Sequence, residues 1–139
     1  MIIRSPVQLD FALSYRYDDD PSGITIPITL RYLGRALDVW GIVDPGAAVC
    51  LFKRELGEEL GIPIEQGEPI RLDSLGGPLD AFGHEVILQT GDLVFESIVY
   101  FAKYPNLARN LLGRQGWLRK LLLALNDNDN LLYLNSLGD

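Results

Sequence analysis

One cysteine and one histidine are all that the 139 residues supply of the two softer metal ligands. A single cysteine closes no internal disulfide, and the pair is too small an inventory for a zinc site. No metal and no cofactor is therefore expected. Bases are also short, 12 Lys and Arg against 19 Asp and Glu, and the net charge of -7 argues against nucleic acid or an anionic membrane as the main partner. No apolar run reaches membrane-spanning length, since even residues 118–125 are interrupted by Arg119 and Lys120. The opening Met1-Ile-Ile-Arg-Ser-Pro lacks the apolar core of a secretory signal. Internal repeats and low-complexity tracts are missing too. What remains is a chain with 47% hydrophobic residues, enough for one globular core. A single cytoplasmic domain is the expectation.

Strand-like spacing starts at Val7–Tyr17 and stops at the polar cluster Asp18-Asp19-Asp20-Pro21-Ser22-Gly23. Three adjacent acids lack the spaced ligands that calcium requires, so the cluster reads as a solvated turn. Ile24, Ile26, Ile28 and Leu30 alternate with polar residues, the period of a half-buried strand. Leu33-Gly34-Arg35 turns the chain, and Ala36–Val43 forms the returning arm. Phe52, Leu56 and Leu60 recur every four positions as a short helix, which Gly61 is placed to stop. Cys50, beside Val49 and Leu51, reads as a small buried hydrophobe, because no base accompanies it. Residues 69–73 and 79–88 form two arms around Ser74-Leu75-Gly76-Gly77-Pro78, a glycine-rich hairpin tip. His84 on the second arm has no nucleophile or metal partner in sequence and reads as a hydrogen-bonded strand residue. Leu93–Phe101 predicts another strand. Trp117, Leu118, Leu121, Leu122 and Leu125 predict a second helix over 114–125, followed by a polar turn and a short strand over 131–134. Frequent turns and many short strands predict a mainly β, closed barrel-like fold with two short helices.

The chemistry concentrates at Trp40-Gly-Ile-Val-Asp44-Pro45-Gly46-Ala47-Ala48. An apolar strand delivers one carboxylate to its end and then turns through small residues. Ionised carboxylates are costly to bury without partners, so a strand that aims one there marks a candidate site. Asp-Pro-Gly is equally good surface-turn chemistry.

Three pieces in order, Ile42-Val43-Asp44-Pro45-Gly46-Ala47, Leu75-Gly76-Gly77 and Leu111-Leu112-Gly113-Arg114, resemble the retropepsin-like (retroviral-type) aspartic protease family over about residues 24–125. The resemblance implies an acid-protease half-fold in residues 24–139, with residues 1–23 as an N-terminal extension. It implies a homodimeric aspartic endopeptidase acting on a peptide or protein substrate. Asp44 of each copy would be catalytic, because the chain has one Asp-x-Gly-Ala and the chemistry needs two carboxyls. Gly46 and Ala47 would contact substrate, and the hairpin bearing Leu75, Gly76 and Gly77 would close over it as a flap. Leu111-Leu112-Gly113 would floor the Asp44 turn. Pro45 departs from the family's Thr or Ser, whose hydroxyl and N–H reach across to the partner loop; proline offers neither donor. An alternative follows from that departure: a catalytically inactive peptide-binding or dimerisation module on the same fold.

Overall fold

The computed structural model describes residues 1–138, so Asp139 of the expected domain lies outside the described residues. Among the described residues ten strands are present: β1 (Leu13–Arg16), β2 (Thr25–Tyr32), β3 (Arg35–Val43), β4 (Leu51–Phe52), β5 (Glu68–Ser74), β6 (Gly77–Thr90), β7 (Leu93–Ala102), β8 (Leu111–Leu112), β9 (Leu121–Asn126) and β10 (Leu131–Ser136). One α-helix, α1 (Arg54–Glu59), joins them. The seven-stranded sheet runs in the order β2-β3-β8-β4-β7-β6-β5, and a further β2–β6 pairing (Thr29↔Gln89, Leu30↔Leu88, Arg31↔Ile87) closes it into a barrel. Closure removes the edges of six strands and leaves the β5–β6 hairpin projecting. Strands β1, β10 and β9 make a separate three-stranded sheet.

Alternation along the strands sets the interior. Ile26, Ile28 and Leu30 of β2 meet Val39 and Val43 of β3, Val86 and Leu88 of β6, and Val99 and Phe101 of β7 in one core. Leu132 and Leu134 of β10 join the same core, which seats the small sheet against the barrel. Trp117 is fully buried, and its indole N–H donates to Thr90 Oγ1 at 3.0 Å. Burial of an indole is tolerable because that donor is satisfied.

The helix predicted over 114–125 is not formed. Gly116 sits at φ +99°, outside the helical region, and a single 3-10 turn over Leu118–Lys120 leads directly into β9. Six residues of β9 pair with β10, from Leu131↔Asn126 to Ser136↔Leu121. A leucine run satisfies the helical and the strand period alike, and here backbone pairing across the Asp127–Asp129 turn decides for the strand. At the other end, Leu13–Arg16 is the part of the Val7–Tyr17 stretch that pairs, through Leu13↔Leu134 to Arg16↔Leu131. Among the described residues no helix is long and apolar enough to cross a membrane.

Candidate active site

Strand β3 lies between β2 and β8. Ile42 and Val43 pair in parallel with Leu111 and Leu112, and the Val43 N–H donates to the Ile24 carbonyl at 2.8 Å. Gly41 permits the close approach of β8: a Cβ there would lie 2.8 Å from Leu112 Cγ. At the end of the strand the Asp44 N–H donates to the Leu112 carbonyl at 3.0 Å. The carboxylate is thus hung on a fixed backbone position rather than on a mobile loop.

A turn follows at once. The Ala47 N–H donates to the Asp44 carbonyl at 3.1 Å, and the Gly46 N–H donates to Asp44 Oδ1 at 2.9 Å. Pro45 and Gly46 are exposed, and Asp44 is half-buried. No cation pairs with Asp44 among the described residues. The chain leaving the turn is clamped by the segment after β8, with Arg114 and Gln115 N–H groups donating to the Ala47 and Ala48 carbonyls, both at 2.9 Å. Gly113 makes the crossing possible. A Cβ at that position would fall 2.1 Å from the Val49 carbonyl oxygen, a contact no side chain tolerates.

Asn110 locks this crossing and was not singled out in the sequence. Its side chain is 8% exposed. Oδ1 accepts from the Lys53 N–H at 2.9 Å, Nδ2 donates to the Trp40 carbonyl at 2.9 Å, and its own carbonyl accepts from the Ile42 N–H at 2.9 Å. One residue therefore ties the entry of α1, strand β3 and strand β8 together.

The glycine-rich hairpin forms as expected. Strands β5 and β6 pair from Glu68↔Gly83 to Ser74↔Gly77, leaving Leu75 and Gly76 as a two-residue turn. Ser74 Oγ donates to the Gly77 carbonyl, and Gly77 adopts φ +107°, which favours glycine. Leu75 is completely exposed. Beside the hairpin runs a groove of about 650 Å³, with Ser74, Gly76 and Gly77 on one side and Tyr104, Leu107 and Ala108 on the other. Asp44 does not line it. A single chain therefore gathers Gly46 and Ala47 around Asp44, and Gly76 and Gly77 against the 104–108 wall, as two separate clusters. That wall also escaped the sequence reading, although Tyr104-Pro105-Asn106 is a recognisable aromatic turn.

The other candidate groups fall in place as structural residues. Cys50 is buried, and desolvation pushes its thiol up to about 11. His84 is hydrogen-bonded through Nε2 to the Ile64 carbonyl at 2.8 Å. No cluster of three or more His, Cys, Asp or Glu able to hold a metal occurs among the described residues.

No protein-family model and no curated protein matches the sequence. Solved structures do match the fold. A retropepsin-like aspartic protease from Rickettsia conorii superposes with a TM-score of 0.64 at 16% identity, over 87% of this chain and 96% of that one. EIAV protease, in complex with the inhibitor HBY-793, superposes with a TM-score of 0.52 at 16% identity, over 72% of this chain and 86% of that one. With its closed barrel, its projecting hairpin and its Asp44 turn clamped beneath β8, this chain has the retropepsin-like fold.

Proposed function

We propose that the chain is an aspartic endopeptidase that works as a homodimer, with Asp44 of each copy forming one catalytic pair. A half-buried carboxylate that pairs with no cation among the described residues, accepts one N–H from Gly46 and hangs on a rigid strand crossing carries this reading. Two such carboxyls side by side supply the reaction with one base and one acid. The ionised partner takes a proton from water as its oxygen attacks the peptide carbonyl carbon. The protonated partner gives its proton to the carbonyl oxygen. Collapse of the resulting diol breaks the C–N bond, with a proton passing to the leaving nitrogen. In this reading residues 24–139 are the catalytic domain, residues 1–23 extend it, and Gly46 and Ala47 flank the substrate backbone. The hairpin tip Leu75-Gly76-Gly77 closes over the peptide, which lies along the groove walled by Tyr104 and Leu107.

Pro45 supports a second reading, a peptide-binding or dimerisation module without catalysis, because it brings no N–H and no hydroxyl to the loop that would meet its partner. Peptide hydrolysis below neutral pH separates the two. The endopeptidase loses about a thousandfold in rate on Asp44→Asn while its thermal unfolding is retained; hydrolysis undiminished by that change removes Asp44 from the mechanism. Asp-Pro bonds also break spontaneously in acid, so cleavage at Asp20-Pro21 and Asp44-Pro45 is scored separately from cleavage of added peptide.

A further inference from the structure

Charge is unevenly distributed along this acidic chain. Residues 97–126 contain none of the 19 acids but five of the 12 bases: Lys103, Arg109, Arg114, Arg119 and Lys120. That basic segment supplies the groove wall, the floor strand β8 and the clamp on the Asp44 turn. Two of its cations are engaged within the chain. Lys103 lies over the Tyr104 ring at 5.3 Å, and Arg109 donates to the Ser22 carbonyl at 2.8 Å. Arg114, Arg119 and Lys120 are exposed and make no side-chain hydrogen bond or ion pair among the described residues. Of these three, Arg114 is the one fixed to the candidate site, through its N–H on the Ala47 carbonyl.

An exposed arginine whose backbone is held beside Ala47, and whose side chain pairs with no acid among the described residues, is a ready carboxylate receptor. Its planar fork matches a carboxylate in bidentate geometry, and a local basic tract offsets the repulsion that a chain of net charge -7 imposes on an acidic ligand. We propose that Arg114 is a specificity-determining residue of the Asp44 site and reads a side-chain carboxylate on the bound peptide. The substrate class is then an acidic peptide, with Glu or Asp a few residues from the bond above Asp44. This inference rests on the peptide-cleaving reading for its location.

Matched peptides differing only by Glu or Gln at one position, scanned along both sides of the scissile bond, test it. The expected result is a preference of about fivefold in kcat/KM for Glu at one position, shrinking at high salt. Arg114→Gln abolishes that preference, Arg114→Lys keeps part of it, and Arg114→Glu turns it toward Lys-containing peptides. Equal cleavage of the Glu and Gln peptides by the unmodified protein overturns the proposal, as does a Glu preference that survives in Arg114→Gln. The same peptides, fluorescently labelled, are titrated onto Asp44→Asn protein by anisotropy. A fivefold binding preference without any hydrolysis by the unmodified protein sinks the endopeptidase reading and keeps the Arg114 assignment; binding without preference sinks the assignment.

Discussion

Gly41 and Leu112 approach diagonally across the β3–β8 pairing, so close that a Cβ on Gly41 would stand 2.8 Å from Leu112 Cγ. Leu112 is fully buried there, and its carbonyl is the acceptor that holds the Asp44 N–H. Gly41→Ala overpacks this contact and is expected to cost about 1–3 kcal/mol, seen as a drop of several degrees in Tm. Trimming the neighbour relieves the clash, so Gly41→Ala with Leu112→Val costs less than the two changes summed. Additive effects would show that the Asp44 strand is not braced by Leu112.

Asn110 is expected to be the most expensive polar side chain near the site. Asn110→Ala strands the Lys53 N–H and the Trp40 carbonyl, both of which it now satisfies at 2.9 Å. Leaving part-buried groups unpaired costs up to about 1–3 kcal/mol each, so a combined loss of about 2–6 kcal/mol is the upper range anticipated. Urea unfolding with an unchanged m-value would report it as a true stability loss. A change below about 0.5 kcal/mol would mean that water replaces the amide and that the crossing needs no such lock.

Tyr17 predicts an alkaline stability slope. Its hydroxyl donates to Asp127 Oδ1, linking the end of β1 to the turn between β9 and β10. That hydrogen bond, first, with burial and the Asp127 charge behind it, raises the phenol from 10.0 to about 12. The folded state thus holds the proton more tightly than the unfolded chain. The contribution is fully present below pH 10.0 and is lost as pH rises through about 12. Tyr17→Phe should be less stable than the unmodified protein at neutral pH, and the two stability curves should converge across that window. Parallel curves would mean that Asp127 does not favour the protonated phenol.

Much of this arrangement was legible in the residues. The alternation of Ile24 to Leu30, the arm ending at Asp44 and the Leu75-Gly76 tip are local patterns, and local hydrogen bonding realises them. Leu121 to Leu125 was misread because an unbroken apolar run fits either period, and the choice was made by β10 on the far side of a turn. Asn110 carries no local signature at all. Its partners lie 57 and 70 residues away, and no window along the chain brings them together.

Pro45 offers the sharpest functional prediction. The Asp44 turn takes its one backbone-to-carboxylate bond from the Gly46 N–H, and Pro45 adds no donor. If two copies pair through these turns, Pro45→Thr supplies an N–H and a hydroxyl at the contact, and one new bond worth about 1.4 kcal/mol tightens association about tenfold. Sedimentation across a concentration series, with and without a peptide-like aspartic protease inhibitor, measures this directly. Tighter pairing together with faster peptide hydrolysis supports the endopeptidase and identifies Pro45 as the residue that loosens it. Tighter pairing with no hydrolysis favours the binding module. Association indifferent to the substitution shows that the two Asp44 turns do not meet, and a catalytic pair then cannot form. The same substitution removes one of the chain's two acid-labile Asp-Pro bonds and leaves Asp20-Pro21, so acid-dependent cleavage that persists in Pro45→Thr at sites other than Asp20-Pro21 is enzymatic.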